Sequence, residues 1–382
     1  MPVSAMTAAA VGVIVGFGGT VALVVQAGQN LGASPLQVVS MVTALCLGIG
    51  VPGLLLSWRL RIPVILAWST PGAALLAASA LGHDWSTAVG AFIIAGLLMV
   101  VVGLVPAIGR LAARIPSAIA SAMLAGVLLP FVIKLFLVFQ TDLALAAGLT
   151  AVFLIARRLA PTWALPLVLV SAFAALAFRG QLALPADGGL FGALSPAIPH
   201  FDLKAAVSLA LPLFLVTLVS QNLPGLVVLR TAGYEPPPGP LLLSTGAATV
   251  LLAPFGVYGI NMAAIVAAIC TGPEAHPDKE RRWVVGVIYG GLYLAAAAFA
   301  APLAGLFIVM PTGALALITG LALIGPLTGA LVGAVGEPQD REAAVLTFAA
   351  TASGVALFGI GSAFWGLVIG FAALATLRWR RR

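Results

Sequence analysis

The sequence predicts an all-α polytopic membrane protein of fourteen transmembrane segments, arranged as a 7+7 inverted repeat. Three observations carry this. Of 382 residues, 62% are hydrophobic and only 8% charged, whereas a soluble domain carries about 25% charged residues; the mean hydropathy is +1.17. Residues 1–58, 236–273, 283–336 and 343–377 carry no charge, and most of these stretches hold two spans of roughly 20 residues. The basic residues recur between apolar runs, as the positive-inside rule expects of cytoplasmic loops.

Charges, prolines and glycines bound the segments in order. The first runs over residues 7–30, and Ser34-Pro35 starts the second, which Arg59 and Arg61 close. The third covers 62–81 and ends at the His83-Asp84-Trp85 loop. The fourth ends at Arg110 and Arg114, the fifth covers 116–139, the sixth closes at Arg157-Arg158 and the seventh near Arg179. A Gly/Pro-rich loop at 181–203 separates a first repeat, 1–180, from a second, 204–382. There the eighth segment runs from Lys204 towards Arg230, and the ninth follows Pro236-Pro237-Pro238. The tenth ends before Glu274, two more reach Gly336, and the last two lie between Glu342 and Arg378. With the N-terminus inside, 15 of the 18 basic residues are cytoplasmic; Arg179 and Lys204 fall outside and Lys134 falls within a span. Both termini are then cytoplasmic.

Composition also excludes. The net charge of +7 sits between spans, so it marks topology and a lipid surface and not nucleic acid. Cys46 and Cys270 lie far apart in apolar segments and read as small buried hydrophobes. His83, His200 and His276 lack metal-ligand spacing, and no nucleophile–base pair stands in a span. Neither an enzyme nor a cofactor or metal site is expected. No cleavable signal peptide is expected either, because the first span lacks a basic leader.

Seven is odd, so the second half enters the bilayer in the opposite orientation, as in secondary transporters built from inverted repeats. Gln29-Asn30-Leu31 recurs as Gln221-Asn222-Leu223. Segments three and ten are both interrupted. Residues 62–74 begin β-branched and aromatic, then Ser69-Thr70-Pro71 supplies a cap and a first-turn proline. Residues 253–264, with Pro254, Gly256 and Gly259, precede a second short Ala-rich helix. Each reads as a short strand leading into a half-helix, the best sequence pointer to a transporter site. Half-helix N-termini present unpaired N–H groups and partial positive charge. All 11 acidic residues lie in loops or near span ends, so such a pocket prefers an anion.

Residues 67–74 (Ala-Trp-Ser-Thr-Pro-Gly-Ala-Ala), Ser220-Gln221-Asn222-Leu223-Pro224-Gly225 and the stretch 123–129 resemble signature segments of the benzoate/proton symporter (BenE) family. The resemblance covers nearly the whole chain. It implies an inner-membrane importer of benzoate with a proton, on a fold shared with nucleobase permeases. In that fold a core domain (segments 1–4 and 8–11) meets a gate domain (5–7 and 12–14), and dimers are common. Tyr258-Gly259-Ile260-Asn261 is similar to the Tyr-Gly-Glu-Asn stretch of uracil-type permeases. Ile260 stands where those carry a glutamate, and Gln221 where their other substrate-binding glutamate stands. Losing both acids suits an aromatic carboxylate over a nucleobase and removes the obvious proton carrier. An anion exchanger or channel, or a nucleobase-type permease of the same fold, stays open.

The expected substrate contacts are backbone N–H groups of Gly72–Ala73 beside Pro71 and of Gly259, Ile260 and Asn261. Hydroxyls of Ser69 and Thr70 are candidates, with plain helix capping as their other reading. Gln221 and Asn222 are polar groups within a span and need partners; Gln26 is a further candidate on the first segment. Trp68, Tyr258 and Phe17 are candidate apolar walls, and Pro311-Thr312-Gly313 borders the pocket by resemblance. Lys134 reads as a snorkelling lysine or as a partner of Asp142.

Overall fold

Broken helices and long straight ones divide the chain between them. A computed structural model describes residues 3–18, 20–78, 83–105, 107, 116–182 and 189–379. The topology markers Arg110, Arg114 and 380–382, and the loop residue Asp187, lie outside them.

In the first half, α1 (Val3–Gly18) and α2 (Val21–Asn30) make the first segment. Next, α3 (Pro35–Leu60) starts where Ser34-Pro35 predicted. Ser34 Oγ accepts from Gln37 N at 3.3 Å, and Gln37 Oε1 accepts from Ser34 N at 2.8 Å, a reciprocal cap. β1 (Leu66–Trp68) leads directly into α4 (Thr70–Ala78). Asp84 caps α5 (Trp85–Leu104) by accepting from Thr87 N at 2.9 Å. Then come α6 (Ser117–Thr141), α7 (Leu143–Leu159) and α8 (Ala164–Phe178).

In the second half, α9 (Leu203–Thr231) is one apolar helix carrying two π-bulges, Ala206–Ala210 and Leu218–Asn222. α10 (Pro238–Leu252) precedes β2 (Ile260–Met262) and α11 (Ile265–Thr271). α12 (Trp283–Ala298) and α13 (Ala300–Ile308) meet at a 66° bend. α14 (Thr312–Val335), α15 (Arg341–Ala352) and α16 (Ser362–Trp379) complete the chain. Among the described residues, eight helical stretches are long and apolar enough to cross a membrane, or nine with the bent pair. The chain is therefore a mostly helical, polytopic membrane protein.

The packing pairs repeat between the halves. α3 lies along α12 and α5 along α10, which in segment order are two with eleven and four with nine. α7 pairs with α8 as α15 pairs with α16, and α6 packs along α14. Missing side chains let two of these contacts close. A Cβ at Gly290 would stand 2.8 Å from Gly50 O across α3–α12, and one at Gly246 would stand 3.0 Å from Gly96 O across α5–α10. Backbones approach this closely in membrane interfaces because burying apolar side chains gains nothing over lipid, leaving packing to hold the helices.

The long loop after the seventh segment is not slack. Its residues 189–202 run extended across one end of the bundle, with backbone bonds from Gly192 N to Ala298 O (2.7 Å), Ala197 N to Pro254 O (2.8 Å) and His200 N to Ser86 O (3.0 Å). Ser40 Oγ, fully buried on α3, accepts from Ser195 N at 2.9 Å and reaches Phe255 O at 3.2 Å. At the other end of α3 and α12, the Arg61 guanidinium stacks over Trp283 at 4.2 Å. Asp142 pairs with Arg179 across the strap-side ends of α7 and α8, so Lys134 is not its partner. Lys134 is exposed on α6, 5.8 Å from the Phe131 ring centre. Cys46 and Cys270 are free and buried on separate helices, as read from the sequence.

Candidate functional site

The two interrupted segments meet. β1 and β2 pair antiparallel, with Leu66 opposite Met262, Ala67 opposite Asn261 and Trp68 opposite Ile260. Flanking bonds run from Ser69 N to Gly259 O (3.1 Å) and from Ala263 N to Ile65 O (2.9 Å). A strand inside a membrane must satisfy its N–H and C=O groups within the protein, and two three-residue strands do so by pairing with each other. The N–H groups that face away from β1 find side chains: Ile260 N donates to Thr249 Oγ1 (3.0 Å) and Met262 N to Asn222 Oδ1 (2.9 Å).

Ser69 organises the junction with α4. Its Oγ accepts from Gly72 N (3.0 Å) and from Thr217 Oγ1 (3.1 Å), and its carbonyl accepts from Ala73 N (2.8 Å). The buried amide of Asn261, oriented to satisfy its neighbours, accepts from Ser69 N (2.9 Å) and donates to Met262 O (3.0 Å). This changes the expected chemistry. Gly72 and Ala73 N–H already bond Ser69, Pro71 has no N–H, and Ile260 N–H is taken by Thr249. Asn261 stands in the strand ladder, and α11 begins only at Ile265. Gly72 and Ala73 N–H are thus spent on capping α4 and Ile260 N–H on α10; apart from Thr70 N–H, the first turn of α4 keeps its dipole and little else for an anion.

The other sequence candidates divide. Asn222 is fully buried, binding β2 through Oδ1 and Met99 Sδ through Nδ2 at 3.6 Å. Its neighbour Gln221 stands half-buried in the same π-bulge without a hydrogen bond; π-bulges recur at functional sites. Asn30, its counterpart in the repeated tripeptide, instead donates to Ala77 O at the end of α4 (2.8 Å). Gln26 Oε1 is buried and accepts from no group. Trp68 is not a free wall: its Nε1 donates to Thr20 Oγ1 (2.8 Å), and its ring packs edge-on against Phe17 and Tyr293. Tyr258 is fully buried against Phe92, and its hydroxyl has no partner. Pro311-Thr312-Gly313 starts α14, where Gly313 faces Val138 of α6 and not the strands.

A cavity of about 220 Å³ adjoins the strand crossing. Met99 and Gly96 of α5, Leu213, Phe214 and Thr217 of α9, Thr249 of α10 and Tyr258 to Ile260 line it. Most of that space is crevice between atoms, and the open part holds about one water molecule. The sequence reading missed Thr217 and Thr249; an isolated threonine in an apolar span carries no pattern to single it out. Among the described residues no group of His, Cys, Asp or Glu could hold a metal ion.

Comparison with known proteins agrees with this architecture. Residues 1–376 match the family described as benzoate membrane transport protein (BenE). The chain is 38% identical over 372 residues to the inner membrane protein YdcO of Escherichia coli, covering 97% of this chain and 95% of that one. It is 34% identical over 373 residues to the benzoate membrane transport protein of Acinetobacter baylyi, covering 97% and 94%. In fold it is similar to the transmembrane domain of the cyanobacterial bicarbonate transporter BicA (TM-score 0.59, 15% identity, 97% of both chains). It is also similar to SLC26A9 (TM-score 0.64, 13% identity, 97% of this chain and 65% of that one). A crossed pair of half-helices held by a two-stranded ladder, in a chain matching one family from end to end, makes this protein a membrane transporter of the BenE family.

Proposed function

We propose that the chain imports benzoate, or a close aromatic carboxylate, together with a proton across the inner membrane by alternating access. The observation that carries this is the strand crossing, where the two interrupted segments pair and Ser69, at the start of α4, meets Thr217 of α9. Such breaks are tolerated within a membrane where they are buried in protein or line a cavity, and that is where transporters bind their substrates. The relative from Acinetobacter baylyi, named a benzoate transporter, supports the substrate class. Two residues support an aromatic carboxylate over a nucleobase: Ile260 and Gln221 are uncharged where, by resemblance, uracil-type permeases carry glutamates.

The proposal includes fourteen segments in two inverted halves, 1–180 and 204–382, because the helix pairings repeat between the halves. Segments 1–4 and 8–11 form a core that rocks against a gate of segments 5–7 and 12–14. With the cavity admitting about one water, an aromatic ring enters only when core and gate separate, which makes this a closed state. Both termini are cytoplasmic, on the face of Arg59, Arg61 and Arg281, and the protein works as a homodimer.

The test is uptake of labelled benzoate into proteoliposomes with and without an inward proton gradient. Accumulation above equilibrium, abolished by an uncoupler, is expected. Equilibration without accumulation assigns the chain to facilitators or exchangers, and absence of flux in folded protein refutes the substrate.

A further inference from the structure

Resting on that reading, we propose that the carboxylate crosses in its protonated, neutral form, and that Gln26 Oε1 recognises the acid O–H. Four observations converge on this.

The first is an unpaired acceptor. Gln26 Oε1 is buried from solvent and accepts from no donor. A buried acceptor left unmet costs about 1–3 kcal/mol, and a ligand that brings a donor recovers it. A carboxylate brings none, whereas a carboxylic acid brings one.

The second is its place. Trp68, at the start of the third segment's half-helix, bonds Thr20 just before α2, and Ala77 near the end of α4 bonds Asn30 at the end of α2. Thus α2 and α4 run side by side in the same direction, and Gln26 lies level with the first turn of α4. Gln26 shares a helix face with Asn30, four residues on. Gln29, three residues on, donates to Ile308 O of α13 at 3.4 Å. Gln26 therefore stands between the α4 and α13 contacts of α2, at the half-helix end of the crossing.

The third is the occupied donor set. Ser69 takes Gly72 N–H and Ala73 N–H, and Pro71 supplies none. A full negative charge desolvated against the first turn of α4 finds only Thr70 N–H there to replace its water, a poor exchange for an ion; a neutral acid avoids it.

The fourth is the surroundings. Around α2 pack α1, α3, α4, α13 and α14. Among their described residues the titratable side chains are Cys46, buried on α3, and Arg59 in the last turn of α3. Among the described residues of these helices no carboxylate or imidazole is present to carry a proton, so the substrate carries it. Outside, R–COO⁻ takes one proton from water; the neutral acid crosses bound, then returns that proton to water inside. One proton moves per carboxylate and no net charge crosses.

The test is equilibrium binding of labelled benzoate to the purified, folded protein between pH 5.5 and 7.5, with two unlabelled competitors. Benzamide is neutral and carries N–H donors; benzenesulfonate is an obligate anion. The apparent Kd for benzoate is expected to rise about tenfold per pH unit, because that is how the neutral fraction falls above a carboxyl pKa. Benzamide is expected to displace benzoate and benzenesulfonate is not. Gln26→Leu should abolish displacement by benzamide and weaken benzoate binding about three- to tenfold, the loss of one hydrogen bond. The wild-type competition decides the matter even where that variant misfolds. Benzoate binding that is flat with pH and displaced by benzenesulfonate overturns this inference while leaving the transport proposal standing. No benzoate binding at any pH overturns both.

Discussion

Gln221 and Asn222 are adjacent polar residues in one π-bulge, yet they do opposite work. Asn222 is spent on the fold, accepting from Met262 N, while Gln221 keeps its amide unbonded. The sequence marks both as amides in a span that need partners. It cannot tell them apart, because the partner of Asn222 is a strand 40 residues away. Replacing Asn222 by Leu leaves the Met262 N–H buried without an acceptor, an expected loss of about 1–3 kcal/mol. Thermal unfolding of the purified variant checks this, and an unchanged midpoint contradicts it. Ser69 teaches the same lesson. Its capping role is legible from Ser-Thr-Pro, but its bond from Thr217, 148 residues away, is not.

At the scale of elements, the interrupted segments are the most legible feature of the chain. Proline, glycine and β-branched residues cannot continue a helix cheaply, and the two breaks fall where they cluster, whereas the isolated Pro52, Pro130 and Pro326 lie inside continuous helices. The pairing of β1 with β2 does not follow from composition. Three-residue strands hold too few positions for an alternating pattern, and their register depends on a partner in the other repeat. Acidic residues also cap helices, which the sequence reading did not assign, because every span needs its first N–H groups satisfied. Asp142 is one: it accepts from Leu145 N at 3.0 Å to start α7. Its hydrogen bond from Arg179 and that cap hold its carboxyl below the usual carboxylate range. A depressed folded-state pKa gives stability that is full above the unfolded value and lost as pH falls through the folded one. The α7–α8 pairing should therefore hold above about pH 4 and loosen on further acidification. Amide exchange at the start of α7 should rise there, and Arg179→Ala should move the onset to higher pH. An exchange profile unaffected by Arg179→Ala refutes the coupling.

For the whole molecule, the strap over residues 189–202 ties together helices from both halves: α3, α5, the turn after α10 and the end of α12. Those helices flank the strand crossing, so the strap links elements of both halves around it. Its main anchor is Ser40. In Ser40→Val the Ser195 N–H loses its acceptor, and faster amide exchange over 193–200 is expected with about 1–2 kcal/mol of lost stability. Exchange confined to its wild-type rate shows that the backbone bonds to Ala298, Pro254 and Ser86 suffice.

By itself the sequence determined that this chain lives in a membrane, where several of its helices start, such as α3 after Ser34, and that the segments around 62–74 and 253–264 break. Those outcomes follow from local terms: transfer of apolar residues to lipid, and satisfaction of backbone groups within a few residues. Only the tertiary structure decided which donors remain for a substrate. The Ser69 cap, Thr249 and the strand pairing took most of the backbone N–H groups that the sequence offered to an anion, while Gln26, Gln221 and Tyr258 are among the polar groups with unmet bonds. Hydrogen-bond satisfaction in a low-dielectric interior is a property of the whole arrangement, since each group is free or spent according to what the fold brings opposite it.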